Sequence, residues 1–230
     1  MYQYILFDLD GTLTDPKIGI TTCVQYALHK MGIEEPDLDK LEPFIGPPLT
    51  DSFRDFYDMD EEKAGQAVNY YRERFSTVGL FENEVYPGIP EMLAELKKTG
   101  KRLAIASSKP TVFVKKILEH FEICQYFDVI VGSELDGTRS RKEEVVEEAL
   151  RQLLPGQEKE TEKYPDGNGG IDRAVVMVGD RKFDVEGAKE HGIASVGVAY
   201  GYAAEGELAE AGADVIVETV EELAKALLAG

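Results

Sequence analysis

The sequence predicts an α/β protein: a doubly wound, mostly parallel, Rossmann-like sheet with an inserted helical cap domain. Six short apolar runs are rich in β-branched residues, and each is continuous, as in strands that are covered on both faces. Helical patterns separate the runs, and such alternation is typical of a parallel sheet flanked by helices. The predicted strands are residues 3–8, 101–108, 127–133, 174–180, 194–201 and 214–219.

Two segments between these strands have clear helical periodicity. In residues 141–154 one apolar stripe consists of Val145, Val146, Ala149, Leu150, Leu153 and Leu154. In residues 107–121, Pro110 suits the first position of a helix, where its missing N–H group is tolerated. Phe113, Ile117 and Phe121 of that helix are then expected to face inward.

Residues 16–81 interrupt the alternation, because they contain helical stretches and no convincing strand. We predict that they form the cap domain, and that residues 1–15 together with 82–230 form the α/β catalytic core domain. Residues 81–93 contain prolines and a glycine and are expected to lead back to the core. Residues 155–172 are polar and rich in glycine, which predicts a mobile surface loop.

The charge balance disfavours several classes of partner. The chain has 25 Lys and Arg against 44 Asp and Glu, a net charge of −19. A field of that sign disfavours nucleic acid polymers and anionic membranes, whereas a small phosphorylated metabolite can bind where a few cations are concentrated. No signal sequence and no apolar run of the ~18 residues of a membrane span are recognised. Cys23 and Cys124 lack zinc-like spacing and are expected to be reduced, which indicates a cytoplasmic protein.

Two acidic residues end the first predicted strand, in the stretch "YILFDLDGTLTD". Successive strand residues point to opposite faces, so Asp8 and Asp10 share one face. Carboxylates placed in this way repel each other unless a cation lies between them. The pair therefore predicts a bound cation at the end of this strand.

Further reactive side chains follow three other predicted strands. In an open α/β sheet, ligands bind at the carboxyl ends of the strands. The residues there are Ser107, Ser108 and Lys109 after the second strand, Lys142 beyond the third, and Asp180 and Asp184 after the fourth. Carboxylates, hydroxyls and ammonium groups from four strand ends are thus expected to surround one point, which fold stability alone does not require.

These stretches resemble, in order, the four motifs of the haloacid dehalogenase-like superfamily of phosphatases, over essentially the whole chain. "DLDGTLTD" resembles the DxDGT nucleophile motif, and Ser107 in "AIASSKP" resembles the Ser or Thr at the end of the second strand. Lys142 in "DGTRSRKEEV" resembles the motif lysine, and "GDRKFD" resembles the GDxxxD metal motif. The helical insertion resembles the small-cap subclass, and "FIGPPLTDSF" is similar to its phosphoglycolate phosphatase and 5′-nucleotidase-like members.

The resemblance implies a mechanism with two acids and Mg²⁺. Asp8 is implied as the nucleophile that forms an aspartyl-phosphate, and Asp10 as the acid that protonates the leaving group and later deprotonates water. Mg²⁺ is the implied cation, with the Asp8 carboxylate, the Asp10 backbone carbonyl and Asp180 as ligands. Asp184 is implied either as a further ligand or as a partner that orients bound water.

The resemblance also implies a phosphate site. Lys142 would offset the repulsion between nucleophile and phosphate and stabilise charge in the transition state. Ser107 and the backbone N–H groups near Gly11 and Ser108 would hold phosphate oxygens, and Gly11 permits the unusual backbone that such a turn needs.

Two of these assignments have alternatives. Ser107 also suits the N-cap of the following helix. Arg139 and Arg141 compete with Lys142, which is favoured by its motif and its spacing from the preceding strand.

Neighbouring residues outside the motifs are given less specific roles. Lys109 and Lys182 are expected to shape the local potential or to be exposed. Residues 200–202 have two alternatives, the rim of the site and ordinary loop packing, of which loop packing is favoured. Residues 44–49, "FIGPPL", are expected to contact the substrate, because a cap that closes over the core must supply the leaving-group pocket.

The sequence therefore predicts a cytoplasmic, Mg²⁺-dependent phosphatase for small phosphomonoesters, with phosphoglycolate and nucleoside monophosphates as candidates. One alternative is a phosphomutase of the same fold that acts on a sugar phosphate. Another is a non-catalytic binding module, which the full set of acids, lysine and serine disfavours. Whether the protein is a monomer or a dimer is left open.

Overall fold

A computed structural model describes residues 2–154 and 174–229, so the whole predicted loop at 155–172 lies outside the described residues. The strands are β1 (Tyr4–Phe7), β2 (Thr14–Asp15), β3 (Glu84–Val85), β4 (Arg102–Pro110), β5 (Val129–Ser133), β6 (Val175–Gly179), β7 (Ala194–Val198) and β8 (Val215–Val217). The α-helices are α1 (Lys17–Lys30), α2 (Leu49–Tyr57), α3 (Glu61–Phe75), α4 (Ile89–Lys98), α5 (Thr111–His120), α6 (Lys142–Leu153), α7 (Lys182–Glu190), α8 (Glu207–Ala211) and α9 (Val220–Ala229).

All six predicted strands form one parallel sheet in the order β5-β4-β1-β6-β7-β8. Strand β1 lies at the centre, where Phe7 is opposite Ile105 of β4 and Val178 of β6. The predicted fold class is confirmed. Because neighbouring parallel strands end at the same edge of the sheet, the carboxyl ends of β1, β4, β5 and β6 lie side by side.

A second, two-stranded sheet was not predicted. Strands β2 and β3 pair antiparallel, with Thr14 opposite Val85 and Asp15 opposite Glu84. Each has only two residues, too few for a periodic pattern to indicate a strand. The pair lies beside the two ends of the helical insert (residues 16–81), and the division of the chain into domains at those ends stays a prediction.

The helical insert shares one apolar core with the sheet. Phe7 and Leu9 from the β1 region belong to the same buried cluster as Phe44, Phe53 and Tyr71 of the insert. The rings of Phe44 and Phe53 meet edge to face at 5.0 Å, a favourable aromatic arrangement. The insert is therefore packed over the carboxyl-end side of β1 by continuous hydrophobic contact.

The helical stripes predicted for α5 and α6 are largely confirmed, with one correction. Pro110 is not the first residue of α5 but the last residue of β4, because its ψ of 132° is extended. Phe113 and Ile117 are buried as expected, whereas Phe121 follows the helix and is only partly buried.

None of the helices in residues 2–154 and 174–229 is both long enough and apolar enough to span a membrane. Cys23 and Cys124 are free thiols. Burial raises the pKa of the Cys23 thiol to about 11, which makes it an unreactive packing residue at neutral pH.

Candidate active site

Three carboxylates from distant parts of the sequence converge at the carboxyl edge of the sheet. Asp8 follows β1, Asp180 follows β6 and Asp184 lies in the first turn of α7. Each offers one oxygen, and these oxygens lie within 4.8 Å of one another. All three side chains are buried.

Backbone and side-chain donors orient Asp180 and Asp184. The hydroxyl of Thr12 donates to Asp180 Oδ1 at 3.2 Å, and the backbone N–H of Tyr202 donates to Asp180 Oδ2 at 2.8 Å. The backbone N–H of Arg181 donates to Asp184 Oδ2 at 3.0 Å. Burial nevertheless raises the pKa of both carboxyls, because it removes water from the charged form.

Two glycines allow the backbone to approach these acids. Gly11 has φ +77°, and a Cβ there would lie 2.1 Å from Asp180 Oδ2. A Cβ on Gly179 would lie 2.0 Å from the Asp184 Cγ atom. The cluster therefore has room for carboxylates only because no side chain is present at these positions.

Lys142 lies between two of the three acids. Its Nζ atom is 2.8 Å from Asp8 Oδ2 and 2.8 Å from Asp184 Oδ1, and it donates to the Ala106 carbonyl at 3.1 Å. Burial by itself would lower the pKa of Lys142, but the two carboxylates raise it above its ordinary value, so the lysine is a cation.

The arginines that compete with Lys142 bind elsewhere. Arg139 donates to the Gly132 carbonyl at 3.0 Å and pairs with Glu134. Arg141 is largely exposed and reaches Glu143 at 2.9 Å. Lys142 is therefore the cation of this cluster, as the motif predicts.

The cluster fits a hard divalent cation. Three buried carboxylates face one ammonium group, so their negative charge exceeds the positive charge from Lys142. The donors are oxygen atoms, which Mg²⁺ prefers, and a cation would offset the burial that raises the pKa of Asp180 and Asp184. Asp8, Asp180 and Asp184, with the predicted Asp10 carbonyl, are the residues that would hold it.

Asp10 is not one of the three acids of the cluster, and its side chain pairs with Lys109. The Lys109 Nζ atom lies 2.7 Å from Asp10 Oδ2, and the two side chains are 7% and 9% exposed. The exposure expected as one alternative for Lys109 is wrong, because its side chain is buried against this carboxylate. The other alternative, a role in the local potential, agrees with its effect on the pKa of Asp10. Lys182, by contrast, is exposed.

The surroundings of Asp10 act in opposite directions on its pKa. Burial raises the pKa of the Asp10 carboxyl above its ordinary value, and the neighbouring Lys109 reduces but does not cancel this effect. Burial therefore has a larger effect on this carboxyl than its ion pair with Lys109.

The predicted phosphate site lies at the end of β4. Ser107 is buried, and its hydroxyl accepts the backbone N–H of Lys109 at 3.4 Å. Helix α5 begins only at Thr111 and has no side-chain cap, so Ser107 is not its N-cap. The phosphate role of Ser107, Ser108 and Gly11 stays a prediction.

A cavity of about 350 Å³ opens between the insert and the sheet edge. The core contributes Asp10, Ser108 and Lys109 to its lining. The insert contributes mostly apolar residues, among them Phe44, Pro47, Pro48, Leu49, Tyr71 and Phe75. The structure thus brings the segment "FIGPPL" to the cavity that Asp10 borders.

The sequence analysis did not predict that Lys109 pairs with Asp10, nor that Thr12 and Tyr202 contact acidic residues. The Thr12 hydroxyl and the Tyr202 N–H hold Asp180, and the Tyr202 hydroxyl bonds to Asp15. The expectation of ordinary loop packing is therefore wrong for Tyr202. The contact of Thr12 could have been predicted, because Thr12 belongs to the first motif. The contact of Tyr202 could not, because every residue except proline has a backbone N–H and its presence is no signal in the sequence.

The chain is similar to several known proteins. A protein of Pseudomonas aeruginosa named 5′-nucleotidase is 50% identical over 207 residues, which cover 90% of this chain and 87% of that protein. The tyrosine-protein kinase PtkA of Mycobacterium tuberculosis is 37% identical over 227 residues, 98% of this chain and 72% of that protein. The crystal structure of a predicted phosphatase from Clostridium acetobutylicum has a TM-score of 0.90 and 47% identity, with 100% of both chains covered.

A family model described as haloacid dehalogenase-like hydrolase matches residues 5–198. The matched range contains all four motifs and the helical insert. The chain therefore belongs to the haloacid dehalogenase-like hydrolase family and, within it, to the phosphatases.

Proposed function

We propose that this phosphatase depends on Mg²⁺ and hydrolyses small phosphomonoesters through an aspartyl-phosphate on Asp8. The observation that carries the proposal is the position of Asp8: Lys142 lies 2.8 Å from one of its oxygens, and Asp180 and Asp184 lie beside it. A carboxylate in such a setting is held in one orientation beside a cation, as a nucleophile for an anionic phosphate requires.

Two proton transfers are assigned to Asp10. Its buried carboxyl borders the cavity, and it would protonate the departing oxygen and then accept a proton from water. Lys142 would stabilise the negative charge that collects on the transferred phosphoryl group. Mg²⁺, when bound by Asp8, Asp180, Asp184 and the Asp10 carbonyl, would supply additional positive charge to the phosphate oxygens.

The cavity favours a leaving group with an apolar, planar part. Phe44, Tyr71, Phe75 and Phe113 line it, and aromatic rings stack on planar groups. The relative named 5′-nucleotidase supports the same reading. We therefore favour nucleoside monophosphates as substrates over phosphoglycolate.

We further propose that the protein acts in the cytoplasm on soluble metabolites, neither on nucleic acid polymers nor at membranes. The net charge of −19 supports this proposal, because anionic polymers and surfaces would be repelled.

A panel of phosphomonoesters, assayed with Mg²⁺ and with EDTA, tests the proposal. We expect steady release of phosphate that EDTA abolishes and added Mg²⁺ restores, with nucleoside monophosphates above phosphoglycolate. The variant Asp8→Asn should fold and lose turnover. Turnover by Asp8→Asn near the wild-type rate would refute the mechanism. Turnover only after addition of a sugar bisphosphate would indicate a phosphomutase, and inactivity on every ester would indicate a binding module.

A further inference from the structure

We infer that Arg72 determines which leaving group the cavity prefers: its guanidinium binds a carbonyl oxygen of the nucleobase, so nucleoside monophosphates with an oxo base are hydrolysed in preference to those with an amino base. The inference rests on the proposed function and deepens it, because it names the class of nucleoside monophosphate. It arises from the contacts of Arg72, a residue outside the four motifs that belongs to α3 of the insert and lines the cavity.

Arg72 is a partly buried cation that has no carboxylate partner among residues 2–154 and 174–229. Its one hydrogen bond there joins Nη1 to the Leu135 carbonyl at 2.8 Å. A guanidinium has five N–H donors in a planar fork and no acceptor, so the other donors are left for a ligand. Burial lowers the pKa of Arg72, because it removes water from the charged form, yet an arginine stays ionised at neutral pH.

The acidic side chains of the cavity lining, by contrast, each have a cation of their own. The pairs are Asp10 with Lys109 at 2.7 Å, Glu134 with Arg139 at 2.5 Å and Asp51 with Arg54 at 4.0 Å. The hydroxyls of the lining serines and of Thr50 can donate or accept, so they favour neither kind of base. The charged part of the lining therefore offers free donors from Arg72, whereas its acceptors are already neutralised.

The position of Arg72 suits contact with a base. Arg72 precedes Phe75 by three residues, so both side chains lie on one face of α3, about 4.5 Å apart along its axis. The Phe75 ring lies 4.6 Å from the Lys109 Nζ atom, which contacts Asp10. Tyr71 stacks on Phe75 with ring centroids 5.0 Å apart, and both rings line the cavity. A base that packs against these rings is therefore expected to have its edge near the Arg72 guanidinium.

An oxo base supplies the acceptor that Arg72 lacks, and an amino base does not. Guanine and hypoxanthine carry a carbonyl oxygen at C6 and uracil carries one at C4, whereas adenine and cytosine carry an amino group there. Two N–H groups of one guanidinium can donate to O6 and N7 of a 6-oxopurine. An amino group would place donor against donor, and a site built to hydrogen-bond one group discriminates against an analogue that leaves its donors unpaired.

Two pairs of substrates that exchange the oxo group for the amino group test the inference. They are inosine against adenosine monophosphate, and uridine against cytidine monophosphate. With the full chain and Mg²⁺, release of phosphate gives kcat/KM for each substrate, and the ratio within a pair measures the preference. This ratio does not depend on the fraction of protein that is folded.

We expect the wild type to prefer the oxo member by about 10- to 100-fold for the purines and by less for the pyrimidines, which offer a single acceptor there. Arg72→Met removes the donors and should bring both ratios to within about threefold of one. Arg72→Gln can donate or accept and should do the same. Arg72→Lys keeps a donor without the planar fork, so it should retain part of the preference.

Arg181→Met is the matched control, because Arg181 forms another arginine–carbonyl hydrogen bond between core and insert, to Ile45 at 2.6 Å. It should leave both ratios within about twofold of the wild type. If Arg72 only held the insert through Leu135, Arg72→Met would behave in the same way and change both members of a pair equally.

The outcomes separate the inference from the proposed function. If the wild type hydrolyses nucleoside monophosphates without preferring the oxo member, or if Arg72→Met keeps the preference, the inference is overturned and the proposed function stands. If the wild type releases phosphate from none of the four substrates, the proposed substrate class fails and the inference fails with it.

Discussion

The guanidinium of Arg181 donates a 2.6 Å hydrogen bond to the backbone carbonyl of Ile45, so the segment from Asp180 to Asp184, which carries two active-site acids, also holds the helical insert. Glu207 orients the same guanidinium through a 2.9 Å ion pair. In a second contact of this kind, Arg72 of the insert donates to the Leu135 carbonyl at 2.8 Å. Two arginine–carbonyl hydrogen bonds thus join the insert to the core. The core donates one of them and the insert donates the other.

We expect Arg181→Met to weaken closure of the insert over the cavity. A hydrogen bond from a charged group contributes about 1.5 kcal/mol, so KM should rise by roughly tenfold with a smaller change in kcat. Steady-state kinetics on one nucleoside monophosphate measure the effect. Lys182→Met removes the neighbouring exposed charge and serves as the control; an equal rise in KM there would contradict the role of the Ile45 contact.

The close approach of Gly11 to Asp180 predicts that Gly11→Ala is severe. Gly11 and Gly32 have nearly the same backbone, with φ +77° and +79°, but a Cβ at Gly32 meets no atom within 4 Å. Gly32→Ala should cost only the left-handed strain of about 1–2 kcal/mol. Gly11→Ala should lower the free energy of unfolding clearly more than Gly32→Ala, as measured by urea denaturation. It should also abolish activity, as measured by phosphate release. Equal costs for the two variants would contradict the clash with Asp180.

The ion pair of Arg74 and Glu82 predicts a pH-dependent contribution to stability. Two hydrogen bonds from the Arg74 guanidinium, 2.6 and 2.9 Å long, lower the pKa of Glu82 below its usual 4.5. A carboxyl with a lowered pKa stabilises the fold above its unfolded pKa, and this contribution disappears as the pH falls through its folded pKa. Glu82→Gln should therefore cost about 0.5–1 kcal/mol at pH 7, after solvent screening, and less at pH 3, because the pH has then fallen towards or below the folded pKa of Glu82.

The matched control for Glu82 is Glu221, whose partner Lys225 lies at 2.7 Å but whose pair is largely exposed to solvent. Urea denaturation of Glu221→Gln should give the wild-type midpoint at both pH values. If Glu82→Gln lowers the free energy of unfolding by the same amount at pH 7 and pH 3, the lost stability comes from packing and not from the ion pair.

Removal of Lys142 should make the fold more dependent on a cation. Lys142→Met leaves Asp8 and Asp184 buried without their ammonium partner, a change that typically costs about 3–5 kcal/mol. We expect a lower melting temperature in EDTA than for the wild type. A ligand that binds only the folded state stabilises it, so Mg²⁺ should raise the melting temperature of the variant. If Mg²⁺ changes the melting temperature of neither the wild type nor Lys142→Met, the proposed metal site is contradicted.

Much of the fold was readable from local sequence patterns. The continuous apolar runs identify all six strands of the large sheet, most clearly β1 and β6, which are buried along nearly their whole length. The two-residue strands β2 and β3 have no such pattern, since their pairing depends on where the insert leaves and re-enters the core.

The sequence by itself determined the fold class, the residues at four strand ends and the family. Only the tertiary structure decided which groups touch: that Lys109 pairs with Asp10, that Tyr202 donates to Asp180, and that an arginine beside the acids holds the insert. The physical reason is distance along the chain. A strand or a motif is encoded in neighbouring residues, whereas these contacts join residues that are far apart in sequence and meet only when the sheet and the insert pack together.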